Sequence, residues 1–580
     1  MIWRFRHIDQ NAAARLATEL DQPLKMGEFL SARCFREAGL VREFIRADLK
    51  NLPPPLSLTD MDKAVERLLE ARRGGELTAI CGDYDADGLT SVALLARGFK
   101  ELGLSALVRV PNRLTEGYGL KPEAVEEMAE RGVRLIVTVD NGVSEMAAVE
   151  RARESGLEVI ITDHHRLPPR LPPALALINP HRNEIWRDHP PAGVGVAFLL
   201  LAALKRRWLE AGLLEPKDAP ALLEYLPLVA IGTIADLAPL QGPNRILVRH
   251  GLDLLASTAW PGLAALKKVS RVAPVRVGSR DVASRLAPRV GSRDVGFRLA
   301  PRLNAAGRLG SAEPALSLLL AETDDQADRL AAQLDDLNHQ RYKEQSKLCR
   351  EVLERLELEI SPDHRTLVLA DSGWSRGLLG LAASRVAEKL RKPTVLFRLE
   401  NGLAIGSGRS YGSFNLYQAL EGLRPLFLSF GGHAQAAGLT MAADLVEEFS
   451  IGLEEAAQAE TDFSEPELEV DFSASLGDLE SLAKPLAALE PFGSGHPPPV
   501  LVIPRVRVGE ARPTDRGGEA HIKMLLLDGL TRLTVVGFNL ADRLDEVGPV
   551  MDVALSLEMS DYQGYLSPTW RLLDFRQPVI

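Results

Sequence analysis

The chain has 580 residues, too many for one hydrophobic core, so roughly three to four domains are expected. Its composition, 46% hydrophobic and 25% charged, is that of an ordinary globular protein, and three widely separated cysteines (Cys34, Cys81, Cys349) exclude a disulfide framework or a cysteine-based zinc site. The net charge of −11 excludes a uniformly basic nucleic-acid binder, but it does not say where the charge lies.

The opening "MIWRFRHIDQ" lacks the apolar core of a signal peptide. The longest apolar run, "AFLLLAAL" at 197–204, passes into Lys205-Arg206-Arg207 and falls well short of the ~20 residues of a membrane span. A cytoplasmic protein without a membrane segment is expected.

Residues 1–50 read as a polar helical segment ending at the proline-rich "NLPPPLSLTD". From 51 to 265 the pattern alternates. The runs "ELTAICG", "SALVRVP", "VRLIVTVD", "LEVIITD" and "ALALINP" are separated by amphipathic segments such as "KPEAVEEMAERG" and "SEMAAVERARESG". Continuous β-branched runs between helices predict a parallel sheet covered on both faces, with its ligand site at the carboxyl ends of the strands.

Residues 266–311 form a basic segment. Between Lys267 and Arg308 only Asp281 and Asp294 oppose Lys267, Lys268, Arg271, Arg276, Arg280, Arg285, Arg289, Arg293, Arg298, Arg302 and Arg308. Such a block suits either a phosphate-tracking surface or a solvated basic face. It contains a tandem repeat of 13 residues: "VGSRDVASRLAPR" at 277–289 is followed by "VGSRDVGFRLAPR" at 290–302, a local duplication rather than a solenoid.

Residues 312–358, free of proline and glycine after Pro314, predict an extended helix or helix pair connecting two domains. A second α/β domain is expected at 359–455. An acidic linker then leads to short alternating runs at 465–580 that predict a small all-β barrel. The predicted fold class is therefore α/β with a C-terminal barrel.

The acids fall at the strand ends. "CGDYDADGLTS" places Asp83, Asp85 and Asp87 in one turn before a helix, "TVDNG" adds Asp140, and "ITDHH" adds Asp163, His164 and His165. Asp236 closes the apolar segment "LVAIGTIAD". An EF-hand is excluded, because the twelfth position from Asp83 is Leu94 rather than glutamate. Unneutralised, so much negative charge in one place would be severely destabilising, and hard divalent cations bridging the carboxylates resolve it. A carboxylate and imidazole donor set suits Mn²⁺ or Mg²⁺, and two such ions sharing a carboxylate suit phosphoryl hydrolysis.

"GDYDADGLTS", "VDNG", "TDHH" and "GTIADLAPL" resemble the four motifs of the DHH phosphoesterase superfamily. "GWSRGLLGLAASRVAEKLRKPTVLF", "IGSGRS" and "FGGHAQAAG" resemble its DHHA1 partner domain. With "FRLAPRLNAAGRLG" and "LEPFGSGHPPPV", the likeness covers nearly the whole chain and points to the single-strand-specific 5′→3′ DNA exonucleases of that superfamily.

The resemblance implies a parallel-sheet DHH domain, a connecting helix, a DHHA1 domain and an OB-fold-like barrel. It implies Asp85, Asp87, Asp140, His164 and Asp236 as ligands of two Mn²⁺ ions, with Mg²⁺ as the alternative and Asp140 as the bridge. Asp83 and Asp163 would be ligands or groups that orient the imidazole, and His165 would contact the scissile phosphate. The strand would be held by Ser407, Arg409, Ser410, Gly432 and His433 in the second domain and by Asn304 and Arg308 between the domains. Arg109 and Asn112 would meet the 5′ end. In the barrel, Phe538, Tyr562, Tyr565 and Trp570 are either a stacking groove or core.

The first repeat copy departs from the family pattern and reads as an insertion. The implied partners are single-stranded DNA with a 5′ end, a single-strand-binding protein and recombination or helicase factors, acting on a monomer. Two other functions remain in competition: a phosphodiesterase for nano-RNA or cyclic dinucleotides, and a non-catalytic replication scaffold on the same fold.

Overall fold

The structure, a computed structural model, describes residues 1–272, 290–359, 363–460, 467–516, 519–562 and 565–578. It opens on an element that the expected helical segment did not include. Ile2–Phe5 (β1) is a strand, and it pairs in parallel with Glu467–Val470 near the other end of the chain.

The catalytic-domain strands are β2 (Leu77–Cys81), β3 (Ala106–Arg109), β4 (Val133–Val139), β5 (Glu158–Thr162) and β6 (Ala176–Ile178). All pair in parallel, in the order β3-β2-β4-β5-β6. The period-2 alternation of a strand divides their side chains between two apolar layers. Leu135, Val137 and Val139 pack toward helices Ala86–Glu101 and Gly193–Glu210, whereas Ile136 and Ile161 pack toward Pro122–Glu130 and Met146–Glu154. The apolar run at 197–204 lies inside helix Gly193–Glu210 and is largely buried in the first layer.

Helix Asp324–Glu359, about 54 Å long at 1.5 Å per residue, bridges the two α/β domains. The second domain carries β7 (Leu367–Asp371), β8 (Thr394–Glu400), β9 (Leu403–Arg409), β10 (Phe427–His433) and β11 (Ala436–Ala442) in the order β10-β11-β9-β8-β7. The β7–β8 pair is parallel and the rest are antiparallel.

After β12 (Glu467–Val470), the barrel is built from β13 (Phe472–Ser473), β14 (Val500–Arg516), β15 (Glu519–Asp528), β16 (Thr531–Gly537), β17 (Val550–Tyr562) and β18 (Tyr565–Arg576). The strands β17 and β14 pair antiparallel and close it. The N-terminal helices belong to this end of the molecule, because Leu16, Met26, Phe29, Leu30, Ala38 and Val41 share a core with Phe472, Leu501, Met524 and Phe575. Trp570 is part of that core rather than of a groove, while Phe538 is half-buried beneath the Arg571 guanidinium. The side chains of Tyr562 and Tyr565 lie outside the described residues.

The barrel is hooked to the catalytic domain by the "LEPFGSGH" loop. Leu240 N–H donates to Ser494 O (2.8 Å) and Gln241 Nε2 to Gly495 O (2.6 Å). Arg245, 2% exposed, donates to the carbonyls of Phe44, Leu489, Glu490 and Pro491 and lies 3.6 Å over the Phe44 ring.

The described part of the basic segment is not an open cationic face. Arg293 pairs with Glu558, Arg298 with Asp294, Arg302 with Asp335 and Lys268 with Asp328. Lys267 is buried against the carbonyls of Leu255 and Ala256. Arg293 thereby ties the segment to the barrel, Arg302 and Lys268 tie it to the bridging helix, and Arg298 pairs within its own helical stretch, so these charges are matched rather than arrayed as a free track for phosphates. Arg276, Arg280, Arg285 and Arg289, with the first repeat copy 277–289, lie outside the described residues.

Candidate metal-dependent active site

The carboxyl ends of β2, β4 and β5 converge at the centre of the parallel sheet, where ligands bind in folds of this kind. Asp85 caps helix Ala86–Glu101, accepting from the N–H groups of Asp87 (3.0 Å) and Gly88 (3.1 Å). Asp87, in the first turn, is 1% exposed, and its two oxygens accept from Gly193 N–H (2.8 Å) and Val194 N–H (2.9 Å). Asp140 follows β4 at φ 59°, a left-handed conformation that aspartate tolerates better than most residues. Gly193 is required beside it, since a Cβ there would stand 2.6 Å from Asp140 Oδ1.

His164 Nε2 lies 3.1 Å from Asp140 Oδ1 and 3.8 Å from both Asp87 Oδ2 and Asp236 Oδ2. Asp236 caps the C-terminal end of helix Leu226–Ala235. Among the described residues three overlapping donor sets have their ligand atoms within 4.8 Å of one another: Asp83, Asp85 and Asp140; Asp87, His164 and Asp236; and Asp140, His164 and His165. Asp83 Oδ1, Asp140 Oδ1 and His164 Nε2 are buried without a hydrogen-bond partner. Orphaned donors and acceptors of this type are costly unless a cation sits among them, so the residues present fit divalent metal ions.

Asp163 is differently placed. Its Oδ1 accepts from the His164 and His165 N–H groups (2.7 and 3.0 Å) and lies 2.7 Å from His165 Nδ1, while Oδ2 accepts from Val143 N–H (2.9 Å). Its oxygens are thus spent on shaping the turn and orienting His165.

The electrostatics follow from crowding. Burial first, and then repulsion from Asp236, pushes the Asp87 carboxyl up to about 7. Burial and then Asp85 push Asp236 to about 7 as well. Asp83 and Asp140 are raised well above the usual carboxylate range, again by burial first. Burial lowers His164, which keeps it neutral as a ligand must be. At His165 burial pulls the other way, but the hydrogen bond and charge of Asp163, with Asp236 and Asp87, outweigh it and raise the imidazole to about 9.

The predicted strand-binding residues divide. Asn304 Oδ1 accepts from Ala86 N–H (2.8 Å), which places it against the Asp85 turn. Arg308 is close by and half-buried. Burial, then repulsion from Arg113 and Arg341, lowers it to about 10. Arg409 Nη1 donates to Ser407 Oγ (3.1 Å), and the same arginine feels the charge of Arg113. Ser407 and Arg409 also abut Gly380, where a Cβ would stand 3.0 Å from Ser407 Oγ and 2.7 Å from Arg409 Nη2.

Ser410 Oγ donates to Phe414 O, inside its own loop. Gly432 and His433 lie on β10, an edge strand and not a turn, with Gly432 at φ 148° and His433 exposed. Arg109 is not free: it pairs with Glu116 (2.5 Å), and Asn112 Oδ1 accepts from Leu114 N–H (2.9 Å), so both hold the loop after β3.

That loop carries two residues the sequence reading passed over. Arg113 lies 4.9 Å over the Tyr84 ring, among Asp83, Arg308 and Arg409. Tyr118 OH donates to Asp140 O (3.1 Å) and sits 3.4 Å from His165 Nδ1. The signal was present in "PNRLTEGYG", a polar, glycine-flanked loop directly after a strand that ends at the site.

Comparison with known proteins points to one family. Residues 78–233 match the DHH family N-terminal domain, 363–459 the DHHA1 domain and 470–574 the RecJ OB domain. The chain is 34% identical over 568 residues to the single-stranded-DNA-specific exonuclease RecJ of Bacillus subtilis, covering 97% of this chain and 68% of that protein. It is 35% identical to RecJ of Escherichia coli K12, covering 97% and 96%. The crystal structure of RecJ in complex with Mn²⁺ from Thermus thermophilus superposes with a TM-score of 0.82 at 31% identity, covering 100% of this chain and 80% of that one. A second crystal structure of that protein holds Mg²⁺. With its three domain types in order and a buried carboxylate–imidazole cluster at the strand ends, the chain belongs to the RecJ family.

Proposed function

We propose that this protein is a metal-dependent single-stranded-DNA-specific exonuclease that works in the 5′→3′ direction and releases nucleoside 5′-monophosphates. The observation that carries the reading is the set of three overlapping donor groups around the orphaned Asp140 Oδ1 and His164 Nε2. Asp83, Asp85, Asp87, Asp140, His164 and Asp236 would hold two divalent ions, Mn²⁺ or Mg²⁺, with Asp140 between them. When bound, such ions neutralise phosphate charge and make water a competent nucleophile at neutral pH.

The chain's own residues do the rest. Asp163 fixes His165 through Nδ1, and the raised pKa of His165 keeps the imidazole protonated, so Nε2–H is a donor for the phosphate and the leaving oxygen. Tyr118 braces the Asp140 backbone and the His165 ring together. Arg113, Arg308 and Arg409 form a cationic wall opposite the acids, suited to the phosphates of the strand and to its 5′ end. Ser407, Gly432 and His433 extend that wall along the second domain, and Arg109 and Asn112 keep the Arg113 loop in place. The working setting is the cytoplasm, as a monomer, with a single-strand-binding protein and recombination or helicase factors delivering the strand.

A phosphodiesterase for dinucleotides would use the same acids, and substrate length separates the two readings. A long 5′-phosphorylated strand should be degraded in preference to a dinucleotide. Preference for the dinucleotide would overturn the exonuclease reading, and binding of strands with no hydrolysis in Mn²⁺ would favour a scaffold.

A further inference from the structure

Leu237 occupies a position that a leucine has little reason to hold. It follows Asp236 at the end of helix Leu226–Ala235, in the left-handed region at φ 59°. Its N–H donates to Ile234 O (3.2 Å) and Ala238 N–H to Thr233 O (3.2 Å), a helix ending usually given to glycine or asparagine. A Cβ carries a steric cost in this conformation, and packing does not offset it, because the residue is 72% exposed. A strained, exposed, apolar residue directly after a metal-site carboxylate calls for a role outside the fold itself.

Phe297 lies on the segment that packs against the last turn of the same helix, with the Arg293 guanidinium 5.6 Å from its ring. It is 70% exposed on the helical turn Val295–Leu299, and a Cβ on the preceding Gly296 would lie 3.7 Å from Ile234 Cγ2. The same segment continues to Asn304, at the Asp85 turn, so it runs from the last turn of helix Leu226–Ala235, which Asp236 caps, to the Asp85 turn. The tandem repeat bears on this residue independently. The two copies differ only at Ala283/Gly296 and Ser284/Phe297, and the copy that forms this segment has the glycine and the phenylalanine.

We infer that Leu237 and Phe297 form an apolar rim that grips the unpaired bases of the strand beside the Asp236 carboxylate, while the acids act on the phosphate. The occupant is set by chemistry. The acids and arginines of the cleft suit phosphates, and a base freed from its partner offers an apolar face that stacks on such side chains. A base inside a duplex keeps that face in its own stack. This inference rests on the single-strand nuclease reading and adds the residues that touch the bases.

The test uses L237G and F297S in the full chain, with steady-state hydrolysis of a 5′-phosphorylated single strand and of the same strand made abasic at its 5′-terminal nucleotides. L237G should melt at or above the wild-type midpoint, because it relieves the left-handed strain. On the ordinary strand each variant should raise KM roughly fivefold or more, with kcat within about twofold of wild type. On the abasic strand the variants and wild type should coincide. An unchanged KM in both variants overturns the inference, as does a KM penalty that persists on the abasic strand or a lowered midpoint for L237G. If the wild type fails to degrade single strands at all, the nuclease reading falls and this one with it.

Discussion

Asp140 commits both backbone and side chain to the site. Its N–H donates to Thr162 O (3.0 Å), its φ is left-handed, and its Oδ1 faces His164 with no hydrogen-bond donor. Asparagine tolerates the same backbone, so Asp140→Asn should fold normally and bind single strands within about twofold of wild type. Hydrolysis with Mn²⁺ should fall by about a thousandfold or more. Retained hydrolysis would remove Asp140 from the site.

Asp87 and Asp236 titrate near 7 in the folded, metal-free protein, against about 4 in the unfolded chain. The folded state therefore holds more protons between those values, and the metal-free protein loses stability as pH rises through 7. A bound cation replaces those protons, so the rise in Tm given by Mn²⁺ over a chelator should be larger at pH 8 than at pH 6. Equal gains would contradict the crowding.

The acids were legible in the sequence because each ends an apolar strand or helix. The division of labour between Asp163 and Asp83 was not, since both are buried acids. What separates them is which N–H groups reach each oxygen across the fold. The backbone grip of Gly193 and Val194 on Asp87 was hidden for the same reason, as the partners lie 106 and 107 residues apart.

At the scale of elements, the sheets and the bridging helix were readable from periodicity, and the placement of the N-terminus was not. "WRFR" alternates apolar and charged residues as an edge strand should, but the partner of this strand lies more than 460 residues away. Helices that read as a separate segment bury their faces against the barrel instead. The hook between barrel and catalytic domain has its own pH signature. His496 is buried beside Phe44 and Phe492, and burial, then Arg245 and Arg33, lowers it to about 3.

His496 is neutral when folded but binds a proton below about 6.5 when unfolded. Its contribution is therefore complete above 6.5 and lost as pH falls toward 3. Denaturant unfolding of His496→Gln should show about 3 kcal/mol less loss of stability between pH 7 and pH 4 than wild type. An identical pH dependence would mean that His496 is protonated in the fold.

For the whole molecule, net charge was a poor guide to the partner. A protein at −11 gathers Arg113, Arg308 and Arg409 near its acid cluster, and much of the described part of its basic segment is consumed in ion pairs. The repeat was legible as a duplication, and its second copy docks on the barrel end of the molecule: Ser292 Oγ donates to Phe492 O (2.6 Å) and Arg293 pairs with Glu558. Removal of 277–289, the copy that departs from the family pattern, should leave hydrolysis of single strands within about twofold of wild type. A loss of strand binding in that deletion would place the first copy in the channel.

A carboxylate–imidazole metal site of this kind is expected to hydrolyse single-stranded DNA from its 5′ end. The most direct measurement follows product release from strands labelled at either end, single-stranded and duplex, with Mn²⁺ and with chelator. Labelled mononucleotide should be released early from the 5′-labelled single strand only, and none from the duplex or with chelator. Equal degradation of the duplex, release first from the 3′ label, or activity in chelator would contradict it.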